Sequence, residues 1–530
     1  MKNLLIFVVL ICSLSCQSLN KWFSREPAAE TARTAKHYIF TVHGLAGNET
    51  TFGSLLPTLK THLEYADPKY EVITQTFRYA TGAMDADVPQ FIESFEQFLV
   101  GFFSKNRLGK DDKISIVAHS QGGLVTTLWY AKATSGNDPQ QIEFASKVQT
   151  IVTEGTPFWG SGMAHIINDK LPFEWMQNLV YKFMAIGKLE VRDMSTASNK
   201  IFDFFREKAN ANMDYLQSPY MLNIAGVNSR SSMQMQRFNM GARLESDQVV
   251  NVPSARLGFY FYSDAMVKYV YNTVSETVTL NDFNYSQYFS HDPKLKLIET
   301  THTKVGQSGY GMANVPGKCM DTASCDQPTY APVFTHLSRC EEKENSCNQD
   351  NYKYLRSKLY AGDESFGAST SEALMNQMRT FQLSVNIQLP KDFVPPKDFL
   401  KSEGISKYLK VDYQYGYKKS DNKAVEPTDD ALVRRESDTQ DYRIQLGRYR
   451  EWGSRVAKHF QETNQLNVQF TGNVKPADVE WKPTNINPFG WNEKPFPLTV
   501  SIEIPGLKKR KVTMPLRPTY TTFVELTLEK

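Results

Sequence analysis

Cysteine is scarce in this chain, with six in 530 residues, and no pair stands in a Cys-x2-Cys spacing. That spacing is the usual mark of a structural zinc site, so its absence weighs against one. Histidine is sparse as well, at nine, so a catalytic base has few candidates. Charge of one sign is not in excess. A formal net charge of +3 gives no general pull toward nucleic acid, and no nucleic-acid-binding motif occurs. There is no sign of a redox or nucleotide cofactor, no calcium-loop pattern among the acidic residues, and no internal repeat. The apolar run from Leu4 to Ile11 is too short to span a bilayer as a permanent helix.

That run belongs to a targeting segment. Lys2 is its positive start and Ser13-Leu14-Ser15-Cys16 its small-residue cleavage region, which predicts a signal peptide over 1–15 and a tether over 16–34. Cys16 in this context resembles the lipidated cysteine of a bacterial lipoprotein, although Ser13 stands where leucine is usual. The resemblance implies an exported protein held at the outer membrane or cell surface. An ordinary secretory signal cut nearby is the alternative, giving a periplasmic or secreted chain. Cys319, Cys325, Cys340 and Cys347 cluster in one short segment. In an oxidising compartment that predicts two disulfides, with three pairings open.

The length predicts more than one domain. Strand-like runs at Lys36–Val42, Tyr70–Phe77, Lys113–Val117, Val148–Thr153, Tyr220–Val227 and Leu295–Thr300 alternate with helical stretches. Between Val88 and Phe103, Phe91, Ile92, Phe95, Phe98, Leu99 and Phe102 repeat at helical spacing along one face. Alternation of this kind implies a mostly parallel sheet covered by helices on both faces, over 35–350. An insertion at about 158–213, rich in Leu171, Phe173, Trp175, Leu179 and Phe183, is either an apolar lid or a helical excursion packed on the core. Beyond 351–375, a linker, the texture changes to period-2 alternation punctuated by Pro and Gly. It predicts an antiparallel β-sandwich over 376–530 with a core of its own. Gly506 to Lys511 reads as a basic hairpin tip, either simply solvated or able to meet anionic lipid head groups.

Ala118-His119-Ser120-Gln121-Gly122 follows the run ending at Val117 and precedes a small-residue helical stretch. Strand, sharp turn and helix with serine at the apex form a nucleophile elbow. The positions two before and two after the serine must be small, because strand and helix backbones approach closely there. Serine needs a base to take its proton and a carboxylate to hold that base. Downstream, Asp247 and Glu245, in the segment after the predicted strand Tyr220–Val227, are the candidate acids. His302 is the candidate base, two residues past a predicted strand, with His291 next. His336 lies among the cysteines and His459 in the β region, and neither is favoured. His119 adjoins the serine but reads as a packed or hydrogen-bonded residue.

His43-Gly44 after the first strand, the elbow, Gly155-Thr156-Pro157 and Asp247-Gln248-Val249-Val250, in that order, resemble the bacterial triacylglycerol lipases of the α/β-hydrolase superfamily over roughly 36–303. Two departures stand out: Gln248 where the family often has glycine, and Phe158 where it has histidine. The resemblance implies a triad of Ser120, Asp247 and His302, with the amides of Leu45 and Gln121 as the oxyanion hole. It implies hydrolysis of carboxylic esters, chiefly of lipids. A phospholipase, deacylase or acyltransferase would use the same triad, and a surface-binding protein with a vestigial hydrolase domain is the reading from another class. No cofactor is implied; some related lipases bind structural calcium.

Overall fold

The computed structural model describes residues 35–48, 50–53, 55–82, 86–165, 178, 186–195, 198, 220–227, 245–263, 294–298, 300, 302, 329–341, 347–360, 371, 374–375, 378, 380–394, 410–415, 443–446, 465–473, 496–516 and 519–530. The signal peptide, the tether with Cys16, Cys319, Cys325, His291, His459 and most of the 158–213 insertion lie outside them.

Fourteen strands are described: β1 Ala35–Val42, β2 Tyr70–Phe77, β3 Lys113–His119, β4 Val148–Glu154, β5 Tyr220–Gly226, β6 Phe259–Ser263, β7 Lys294–Ile298, β8 Thr380–Gln388, β9 Lys410–Tyr415, β10 Arg443–Leu446, β11 Gln465–Asn473, β12 Phe496–Glu503, β13 Arg510–Leu516 and β14 Thr521–Thr527. The helices are α1 Leu55–Ala66, α2 Val88–Lys105, α3 Gln121–Ser135, α4 Pro139–Ser146, α5 Gly162–His165, α6 Lys188–Asp193, α7 Val252–Ala255, α8 Tyr330–Ser338 and α9 Gln349–Tyr360.

Six strands form one sheet in the order β2-β1-β3-β4-β5-β7, and every pair in it is parallel. Successive side chains of a strand point to opposite faces, so alternate residues feed two cores. Tyr38, Phe40, Ile114, Ile116 and Ile151 pack with α2, α3 and α4 on one face. Ile39, Val117, Val152, Ile224 and Ile298 pack with α1, α8 and α9 on the other. Helix α2 shows how sequence sets the element. Asp87 caps it by accepting from the Gln90 amide, and Gln90 closes a capping box, which satisfies donors a helix start otherwise leaves orphaned. Phe91, Phe95, Leu99 and Phe103 then fall on one buried face. Helices α8 and α9 escaped the periodicity reading, and they complete the second face. The connection between them carries the bonded pair Cys340–Cys347, one of the bridges expected from the cysteine cluster.

The C-terminal part departs from the expected antiparallel sandwich. It is a mixed five-stranded sheet ordered β10-β11-β8-β14-β6 together with a three-stranded antiparallel sheet ordered β13-β12-β9. Strand β14 runs parallel to both β8 and β6. Period-2 alternation reports that a strand exists; its direction is set by where distant chain segments return, which alternation does not encode. The core is not separate either, because β6 precedes the expected linker and is the edge strand of the later sheet. Phe523 of β14 belongs to the main hydrolase core, with its ring centroid 5.6 Å from that of Trp159. Gln469 donates to the Trp159 carbonyl at 2.8 Å. The Arg256 guanidinium lies 3.4 Å from the centre of the Tyr520 ring. In the basic turn, Lys508 stands 3.8 Å from Glu529 and Lys509 3.8 Å from Glu503, so part of its charge is paired within the chain.

Candidate active site

The C-terminal ends of parallel strands gather their following loops at one edge of the sheet, where ligands bind in open α/β folds. The loops after β1, β3, β5 and β7 all arrive there. Ser120 follows β3 directly and has φ 52° and ψ −125°, a conformation non-glycine residues rarely adopt. It is held by the surrounding backbone: its amide donates to the Glu154 carbonyl at 2.8 Å, and Gly123 donates back to its carbonyl at 3.0 Å. A Cβ at Gly122 would stand 2.3 Å from the Val42 carbonyl oxygen, and one at Gly44 would stand 2.6 Å from Ser120 Cβ. The helix after the serine and the loop after β1 can therefore approach only through glycine. That contact sets the His43-Gly44-Leu45 loop against the serine.

Asp247 and His302 are brought together from opposite sides of a long chain segment. The Asp247 Oδ2 to His302 Nδ1 distance is 2.7 Å, and both residues are buried. Asp247 Oδ1 accepts from the Val249 amide at 2.9 Å and the Val250 amide at 2.7 Å, which fixes the carboxylate. The His302 amide donates to the Asp247 carbonyl at 2.9 Å, so base and acid are tied at backbone and side chain. With Nδ1 committed to Asp247, Nε2 is the ring nitrogen left for a serine. His302 is also bound to the elbow: His119 Nε2 lies 3.1 Å from the His302 carbonyl oxygen, and the two rings are 4.7 Å apart. Burial holds the His119 imidazole well below its ordinary pKa, with the neighbouring His302 and His43 acting the same way.

The competing residues go elsewhere. Glu245 accepts a hydrogen bond from the Thr380 amide of β8, facing the C-terminal sheet. His336 stacks on Tyr220 with centroids 3.9 Å apart and lies 2.9 Å from the Tyr220 carbonyl oxygen, at the start of β5 and away from the strand ends that carry the serine. The two departures from the lipase pattern have visible consequences. Gln248 has φ 85°, the left-handed region where glycine is at ease and glutamine is strained. Phe158 is buried in the main core.

Three residues with no local sequence signal surround the elbow. Tyr79, just beyond β2, donates to the His43 carbonyl at 2.6 Å, with Gln121 Oε1 at 3.3 Å. It stacks on the His43 ring at 4.6 Å. Glu190 of α6 is buried; its carboxylate accepts from Gln121 Nε2 at 3.1 Å, the Gly82 amide at 2.6 Å and the Gly187 amide at 2.5 Å. Burial raises the Glu190 pKa, and these three donors pull it back. Glu154, at the end of β4, is fully buried, and burial pushes its carboxyl up to about 8, so it carries its proton at neutral pH. In the insertion, Trp159, Ile186, Val191 and Met194 are core residues; this described part is packed structure, and Leu171, Phe173, Trp175, Leu179 and Phe183 of the expected lid lie outside the described residues. Among the described residues, no three His, Cys, Asp or Glu side chains gather as metal ligands would.

A parallel sheet with helices on both faces, and a strained serine on the turn leaving β3, define an α/β-hydrolase fold. Residues 32–225 match the family described as "Putative serine esterase (DUF676)". Among solved structures, phospholipase PlaB from Legionella pneumophila is 12% identical and has a TM-score of 0.56, the match covering 93% of this chain and 94% of that one. The same phospholipase in complex with thio-NAD gives 10% identity, a TM-score of 0.55 and the same coverage. The mature form of the lipase BlEst2 from Bacillus licheniformis is 17% identical over 44% of this chain and 82% of that one, with a TM-score of 0.30. Comparison with curated protein sequences gives no match.

Proposed function

We propose that this protein is a serine hydrolase that cleaves carboxylic esters of lipids through an acyl-enzyme. The observation that carries the reading is the 2.7 Å Asp247–His302 pair bound through His119 to the strained Ser120 turn. In this mechanism His302 Nε2 takes the Ser120 proton as Oγ attacks the ester carbonyl. Asp247 holds the ring and stabilises the imidazolium that forms. The amides of Leu45 and Gln121 receive the oxyanion. Collapse expels the alcohol with the proton from His302, and water, activated by the same histidine, releases the acid.

Within this class, phospholipids are a specific second reading. It is favoured by the likeness of folds along nearly the whole chain, C-terminal sheets included, to a phospholipase. The test is fatty-acid release from a soluble p-nitrophenyl ester, a triacylglycerol emulsion and phosphatidylglycerol vesicles. Release from all three fits the lipid reading, and a rate on vesicles well above that on the emulsion selects the phospholipase. No release from any substrate by folded protein sinks both.

Export and anchoring belong to the same proposal, on the strength of the 1–16 segment. Cys16→Ala is expected to move the protein from the membrane fraction to the soluble fraction on cell fractionation, because one lost lipidation site removes the anchor. Unchanged membrane partition would mean that Cys16 is not the tether.

A further inference from the structure

The carboxylate of Glu190 gathers three N–H donors from three separate segments: the loop after β2 through Gly82, the insertion through Gly187, and α3 through Gln121. Gln121 is the residue after the serine. Its carboxamide is clasped on one side by Glu190 and on the other by Tyr79, whose hydroxyl donates to the carbonyl of His43. His43 in turn opens the loop that presents Leu45. One chain of hydrogen bonds therefore links Glu190 to both peptide segments that would hold an oxyanion. We propose that Glu190 is a positioning residue for the oxyanion hole, acting through Gln121 and Tyr79.

This inference rests on the serine-hydrolase reading above. The physical need is geometric. Oxyanion donors must sit within hydrogen-bond reach of where charge develops, and small displacements are costly to rate. A buried acid beside the elbow is otherwise unfavourable, since its negative charge opposes a developing oxyanion. Its three donors give it a structural use in return. The local sequence carries no trace of this, because Glu190 lies in the insertion, 69 residues from Gln121.

The test uses full-length protein and three substitutions. Glu190→Met keeps the volume and removes the acceptors. Glu190→Gln can rebuild the network if the Gln121 carboxamide turns over, so that the new amide donates to Gln121 Oε1 and Gln121 Nε2 donates to Tyr79. Tyr79→Phe removes only the bridging hydroxyl and keeps the ring stack. For Glu190→Met, kcat on a p-nitrophenyl ester is expected to fall about 10- to 100-fold, somewhat less than the loss of a whole oxyanion donor. KM should stay within about twofold, and affinity for a boronic acid transition-state analogue should fall by the same factor as kcat. Glu190→Gln should recover most of both, and Tyr79→Phe should repeat part of the loss. Folded Glu190→Met with wild-type kcat and inhibitor affinity overturns the inference. If Glu190→Met does not fold, Tyr79→Phe with wild-type kcat does so instead. Fluorophosphonate labelling separates this from the parent reading: if Ser120 is labelled while the network variants are fully active, only the positioning role fails.

Discussion

Replacing Ser120 by alanine is expected to abolish ester hydrolysis, lowering kcat on the order of 10^6-fold as in other triad hydrolases, with the fold intact. The fold should survive because Ser120 is held by its own backbone bonds to Glu154 and Gly123, which alanine retains. His302→Ala should be nearly as damaging, since nucleophile and base act as a unit. Asp247→Asn should cost less, about 10^4-fold. Its single side-chain oxygen can serve either His302 or the Val249 and Val250 amides, which donate to Oδ1 in the native residue, and in either orientation it offers the imidazolium no charge. The measurement is initial rate on a p-nitrophenyl ester, with circular dichroism to verify folding. Near wild-type activity in Ser120→Ala would remove Ser120 as nucleophile. A mild effect at Asp247 with a severe one at Glu245 would move the acid, against the hydrogen bond that turns Glu245 toward Thr380.

The second large effect comes from the far end of the chain. Ending the protein near Glu364 is expected to give an insoluble or inactive product. The alternating texture beyond 376 predicts an independent core; the tertiary structure argues the opposite. Removing β8 and β14 strips β6 of its one neighbour strand among the described residues and bares Trp159 and Phe259, both buried. An unpaired strand edge beside exposed aromatics is an aggregation site. The acid loop also loses its outer supports: Thr380 on Glu245, Thr521 on the Pro253 carbonyl at 3.3 Å, and Thr519 on Arg256 at 3.1 Å. The full-length variant Phe523→Ala isolates the packing part, with an expected loss of about 3–5 kcal/mol for a buried phenylalanine, read as a lowered denaturant midpoint. A soluble truncation with wild-type kcat would show that the C-terminal sheets serve something other than the hydrolase core.

The amino-acid sequence by itself determined the six strands of the parallel sheet, the helix over 88–103, and the elbow, but not β6. Those signals are local: a strand alternates or runs apolar, a helix repeats at 3.6, and a strand-to-helix turn needs small residues at Ala118 and Gly122. Chain order and post-strand placement also marked His302 and the Glu245–Asp247 segment, and the resemblance to lipases chose Asp247 within it. What stayed hidden was every relation between distant segments. Nothing near Phe259–Ser263 says that this strand leaves the first sheet to pair with Thr521–Thr527. Nothing near Glu190 says that it will meet Gln121, and Glu245 and Asp247 look alike until one faces Thr380 and the other His302. Tertiary structure decided these, because sheet direction, buried hydrogen-bond partners and the division of a core are properties of which surfaces meet. A linear pattern records how each segment is shaped, and leaves open which neighbour it will find.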